Sequence, residues 1–231
     1  MVDFPGSVLY RHPKTYLSLV SAFYAVGLAG HLIIELRPLM LVLTPWFLLL
    51  SGAFLVWPSL AIGKRIFRLW FVAAWLLTFA LESIGVASGA IFGTYHYGLV
   101  LGWLVLGVPP VIGFNWVLVV LGAMALAQRV PVHPLIRIFL VGLIATLFDL
   151  VMEPSAFANG YWSWADGIIP FQNYLAWFLI ATIMAASAWR LTGQSDSEIR
   201  TKDPPLICSL IAQVAFFLIQ DIALWSQAVS L

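Results

Sequence analysis

Charge is scarce in this chain: only 9% of its 231 residues are Asp, Glu, Lys or Arg, whereas 62% are hydrophobic, and the mean hydropathy is +1.00. That balance excludes a soluble globular domain and leaves no basic surface for nucleic acid; it describes a polytopic membrane protein. Cysteine is nearly absent. Cys208 stands alone in an apolar run, which rules out an intrachain disulfide and reads as a packed thiol. Neither a repeated CxxC nor an HExxH occurs, so no metal is expected. Also missing is the apolar/polar alternation of barrel strands. In its place are apolar runs of roughly the 20 residues that a helix needs to cross about 30 Å of hydrocarbon. The expected fold is therefore all-α, a single membrane-embedded helical bundle over residues 1–231. The N-terminus lacks the short apolar core and cleavage site of a secretory signal, and its first apolar run is read as an uncleaved anchor.

Seven spans are expected, at about 16–35, 39–57, 69–89, 108–127, 136–153, 173–189 and 206–225. Basic residues give an independent check, because those of short loops stay cytoplasmic. With seven spans, Arg11, Lys14, Lys64, Arg65, Arg68, Arg129, Arg137, Arg190, Arg200 and Lys202 fall on one side and only Arg37 on the other. The N-terminus and a polar loop at 194–205 are thus expected in the cytoplasm, and the C-terminus outside. The stretch 91–107, "IFGTYHYGLVLGWLVLG", is apolar enough to pass for another span, which would destroy the asymmetry. It is read as a re-entrant or interfacial segment ended by Pro109 and Pro110.

Six of the ten acids then lie near the outer ends of spans: Glu35, Glu82, Asp149, Glu153, Asp166 and Asp221. Asp149 and Glu153 are one helical turn apart and share a face. A carboxylate in hydrocarbon costs several kcal/mol unless paired, protonated or facing water, and one arginine cannot neutralise six acids. Part of the set is therefore expected to keep its protons near neutral pH and to be able to donate them. Glu82, Asp149, Glu153 and Asp221 form the candidate catalytic cluster; Glu35 and Asp166, closer to the interface, are expected to be solvated.

Other features have plainer readings. Gly85, Gly89 and Gly93 recur every fourth residue, which suits close helix packing. His31 and Glu35, one turn apart, suit a hydrogen-bonded structural pair or a proton relay. Trp103, Tyr161, Trp162 and Trp164 sit where an interfacial aromatic belt belongs.

More specific are "ESIGVASGAIFGTYHYG" at 82–98, "LGWLVLGVPPVIGFNW" at 101–116, "DLVMEPSAFANGYWSW" at 149–164 and "IPFQNYLAW" at 169–177. In this order they resemble the membrane carotenoid-biosynthesis family of bisanhydrobacterioruberin hydratases and related carotenoid 1,2-hydratases. Matched piece by piece, the resemblance points to Glu82, Tyr95, Tyr97, Asp149, Glu153, Pro154, Trp162, Trp164, Asn173 and Trp177. Gly167, Ile168 and Ile169 stand where a Tyr/Phe-Gly is expected.

The resemblance implies hydration of a terminal carotenoid double bond, which requires an acid, a water and a cation-tolerant wall. Carboxyls of the cluster supply acid and base, and Tyr95, Tyr97, Trp162 and Trp164 the ring faces. Asn173 and Trp177 complete the expected substrate contacts. The implied partners are a hydrophobic carotenoid entering from the bilayer, the lipid membrane itself and other carotenoid-biosynthesis enzymes; no cofactor and no nucleic acid is expected. A lycopene-cyclase-like enzyme starts with the same protonation and is the nearest alternative, followed by a proton-coupled transporter and a purely structural subunit. A retinal protein is excluded, because Lys14, Lys64 and Lys202 all lie outside the spans.

Overall fold

The computed structural model describes residues 13–192 and 204–229. They form seven helices: α1 (Pro13–Leu32), α2 (Arg37–Ile62), α3 (Arg65–Ser88), α4 (Pro110–Ala127), α5 (Pro134–Ala158), α6 (Phe171–Thr192) and α7 (Pro204–Val229). Two three-residue strands, β1 (Tyr95–Tyr97) and β2 (Trp162–Trp164), complete the described elements. Helices α2 to α7 are long and apolar enough to cross a membrane, and α1 carries a shorter apolar stretch, Leu17–Leu32. The protein is a multi-pass membrane protein with a helical-bundle fold. Arg11, Arg200, Lys202 and nearly all of the polar loop at 194–205 lie outside the described residues.

Most helices begin on a proline: α1, α4, α5 and α7 open with one, and Pro38 is the second residue of α2. The first turn is where proline's missing N–H costs nothing and its fixed φ already suits a helix. Some helices run past the expected spans, α2 to Ile62 and α5 to Ala158, since a helix need not stop where the hydrocarbon does, whereas α1 ends at Leu32 and α4 begins only at Pro110.

α4 is the centre of the bundle. It carries no charge and is buried on nearly every side, as expected for a helix apolar all round. Close approach is what its glycines permit. A Cβ on Gly113 would lie 2.9 Å from the Trp75 carbonyl oxygen of α3, and one on Gly122 3.2 Å from the Leu206 carbonyl oxygen of α7.

Several hydrogen bonds tie one end of the bundle together. Arg37, at the start of α2, donates to the Ala158 carbonyl (3.1 Å) and to Asn159 Oδ1 (2.9 Å) at the end of α5. Gln172, at the start of α6, donates to the Ala90 carbonyl just past α3 at 2.6 Å. Ser155 of α5 donates to Asp221 of α7. Arg37 is thus a cap on α5, satisfying the Ala158 carbonyl that the helix end leaves free.

The stretch 91–107 contains no helix. After α3, Gly89 adopts a left-handed φ of 66° and its N–H bonds the Gly85 carbonyl at 2.8 Å, a helix stop that favours glycine. The chain then forms β1, makes a tight turn through the Val105–Val108 bridge, and enters α4 behind Pro109 as its N-cap. β1 pairs antiparallel with β2, Tyr95 opposite Trp164 and Tyr97 opposite Trp162.

Two expectations are corrected here. The three glycines do not mediate helix–helix packing: Gly85 lies against Phe92, Gly89 stops α3, and Gly93, with φ 106°, faces Pro170. They shape the link that follows α3. His31 and Glu35 do not pair either, because α1 ends at Leu32 and the helical spacing is broken. His31 Nδ1 bonds the Gly27 carbonyl at 2.8 Å, and Glu35 is exposed.

Candidate active site

Strand pleat explains the aromatic pairs. Alternate residues of a strand face opposite sides, so Tyr95, Tyr97, Trp162 and Trp164 turn inward and are buried, whereas His96 is exposed and Ser163 half-buried. Inward from the strands, the helix ends carry the acids. Glu82 of α3 accepts from three donors: the Tyr95 hydroxyl, the Tyr97 hydroxyl at 2.8 Å and Trp116 Nε1 at 2.7 Å. Glu153 of α5 accepts at one oxygen from Trp162 Nε1 (2.9 Å) and Trp164 Nε1 (2.8 Å). Indole N–H can only donate, so the two strands act as a clamp across two acids on different helices. Burial, and then the nearby Glu82 charge, push the Tyr95 and Tyr97 hydroxyls above their ordinary range, which keeps them protonated and able to donate.

Asp149 differs. One oxygen accepts from Asn173 Nδ2 at 2.6 Å, while its Oδ1 is buried without a hydrogen-bond partner, and the residue is 0% exposed. A buried carboxyl oxygen lacking a partner is costly, and the residue that carries it lines a cavity.

Glu82, Asp149 and Glu153 line one cavity together with Tyr95, Tyr97, Trp162, Trp164, Asn173 and Trp177. Its volume for water-sized molecules is about 60 Å³, enough for several waters at roughly 10–15 Å³ each. No lysine, arginine or histidine is among its described lining residues. Trp116 and Trp177 stack face to face, 3.6 Å between centroids and 20° apart, and Tyr95 leans on Trp164 at 4.9 Å. The result is a pocket with ionisable oxygens on one part of its wall and aromatic faces over much of the rest.

Asp221, the fourth acid of the expected cluster, is not among the lining residues. It is half-buried and takes the Ser155 hydroxyl as donor. Glu35 and Asp166 are exposed. The belt reading suits Trp103, which is 72% exposed, but Tyr161, Trp162 and Trp164 are buried at the cavity. Sequence reasoning missed Trp116, Asn115 and Gln213, all of them in the lining. The signal was an Asn-Trp pair, and a glutamine, inside otherwise apolar spans.

The sequence profile of carotenoid biosynthesis proteins matches residues 42–230, a stretch that contains every acid and aromatic group of the cavity. The chain belongs to the carotenoid biosynthesis protein family. A relative in the same field, bisanhydrobacterioruberin hydratase from Haloarcula japonica, is 32% identical over 162 residues, which cover 64% of this chain and 55% of that protein. The chain thus spans little more than half the length of the curated relative it matches. No solved structure matches. Within the family match, the acids fall on α3 and α5, the indole and phenol donors on the strand pair and α4, and Asn173 on α6.

Proposed function

We propose that the protein is a carotenoid hydratase: it protonates a terminal double bond of an acyclic carotenoid and captures the cation with water, giving a tertiary alcohol. The observation that carries this is a cavity with room for water that Asp149 and Glu153 both line, Asp149 having one buried carboxyl oxygen without a hydrogen-bond partner. The hydratase name of the relative supports the same reaction class.

Asp149 is the acid. Its proton goes to the less substituted alkene carbon, the π pair forming the new C–H bond and leaving a tertiary cation. Water oxygen then bonds to the cationic tertiary carbon, and Glu153 takes the water's proton. Glu153 and Asp149 are one turn apart, so the proton passes back to Asp149 and the sum is alkene plus water. Rings of Trp116, Trp177 and the strand pair stabilise the cation by about 0.5–2 kcal/mol each. Glu82, acceptor to three donors, holds three of those rings, Tyr95, Tyr97 and Trp116, in place. A cyclase shares the first step but needs an internal alkene folded onto the cation; the water-sized cavity with Asn173, Asn115 and Gln213 on its wall favours hydration. The ten-to-one basic asymmetry supports an extracytoplasmic level for the site.

Expression in a host that accumulates an acyclic carotenoid tests the reading. The expected product is heavier by one water and carries a tertiary hydroxyl; an isomer of unchanged mass would instead establish a cyclase.

A further inference from the structure

A second cavity adjoins the acids. It lies among α1, α2 and α7, has a volume of about 210 Å³ for water-sized molecules, and is lined by Phe23, Tyr24, Gly27, Met40, Thr44 and Phe47 among others. Leu48, Tyr161, Gln213 and Phe217 line both this chamber and the acid cavity, so those four side chains form the partition between them. The chamber is the roomier of the two and its wall is almost wholly hydrocarbon and ring carbon.

Two features make it a built space. Gly27 faces it with no side chain, and a Cβ there would meet nothing nearer than the Phe216 ring at 3.9 Å. Phe23, Val26 and Leu43 line the chamber while being 58%, 67% and 44% exposed on the outer surface. In a spanning bundle that surface faces acyl chains, so the chamber opens toward lipid between α1 and α2. An empty apolar space of this size forfeits the contacts that close packing would make, which a hydrocarbon occupant restores.

From this geometry we infer that the chamber is the binding site for the polyene chain of the substrate, entered sideways from the bilayer, with Leu48, Tyr161, Gln213 and Phe217 as the throat through which the end group reaches the acids. The inference rests on the hydratase reading for the identity of the occupant. The chemistry of each compartment matches one part of such a molecule: an apolar wall for part of the conjugated chain and an acid-lined pocket with room for water for the terminal alkene. The whole α1 wall, with Phe23, Tyr24, Gly27 and His31, precedes the residues matched by the family profile, so this side of the chamber is contributed by the chain outside the family match.

The test is carotenoid binding in lipid nanodiscs, read by quenching of tryptophan emission by lycopene, an acyclic polyene. Gly27→Leu and Leu43→Trp each fill the chamber from a different helix and leave the acid cavity intact. In an Asp149→Asn background, where turnover is removed, the parent should bind and each filling variant should raise the apparent Kd at least tenfold. Full thermal transitions establish that both variants are folded; the second guards against failure of the first. Unchanged Kd in a folded filling variant overturns the chamber, and so does lycopene displaced equally well by bulk phospholipid. The two readings fail separately. Binding that follows the filling variants without any alcohol formed by the wild type sinks hydration and keeps the chamber, whereas normal kcat/KM for alcohol formation in both filling variants does the reverse.

Discussion

At the scale of single residues, the three cavity acids look alike in sequence and differ in their partners. Glu82 accepts at both oxygens from phenol and indole donors, Glu153 at one oxygen from two indoles, and Asp149 at one oxygen from Asn173 while its Oδ1 is buried without a partner. Asp149→Asn or Glu153→Gln preserves shape and hydrogen-bonding reach while removing the carboxyl, so turnover should fall by about two orders of magnitude or more. Asp221→Asn, outside the cavity lining, should lose no more than severalfold; an equal collapse would mean that the pair with Ser155 reaches the chemistry. Trp116→Phe removes one donor from Glu82 and part of a stack, and should lower unfolding stability by about 1–3 kcal/mol, measured by thermal or chemical unfolding in detergent. That Glu82, Asp149 and Glu153 come close together was legible from their positions in apolar runs. Which of their oxygens find partners was not, because that depends on Trp116, Trp162, Trp164 and Asn173 arriving from distant parts of the chain.

Among the elements, the helices were readable and the strand pair was not. A run of about 20 apolar residues announces a span directly, and Pro110, Pro134 and Pro204 mark where helices begin. Tyr-His-Tyr and Trp-Ser-Trp are too short to announce strands, and their pairing joins segments far apart in the chain, so the motif was visible while its geometry was hidden. The every-fourth glycine spacing misled for a related reason: Gly89 and Gly93 lie beyond the end of α3, where helical spacing no longer applies. Gly89→Leu places a side chain at a left-handed φ at a cost of about 1–2 kcal/mol, and should lower thermal stability; full wild-type stability would mean that this turn relaxes freely. The strand link also carries a pH signature. Buried Tyr95, Tyr97 and Tyr161 all have hydroxyls shifted upward, Tyr161 to about 12. The unfolded chain releases those protons near pH 10 while the folded protein retains them, so stability is whole below about pH 10 and declines as pH rises further. Tyr161→Phe should flatten that alkaline decline, and an unaltered profile would assign it to other groups.

For the whole molecule, a membrane enzyme for a hydrocarbon substrate has to solve delivery and chemistry in one bundle. On the proposed reading, the acids under the strand-pair clamp take the chemistry and the adjoining apolar chamber takes delivery. Sidedness is open to a direct check: after Cys208→Ser, an impermeant thiol reagent on intact cells should label Asp166→Cys and spare Asp196→Cys, and the reverse pattern would invert the bundle. The reaction itself is decided by the origin of one oxygen atom. Membranes containing the protein, incubated with an acyclic carotenoid in heavy-oxygen water, should yield a tertiary alcohol carrying the heavy label. An alcohol whose oxygen comes from dioxygen, or an unlabelled isomer of the substrate, would contradict hydration.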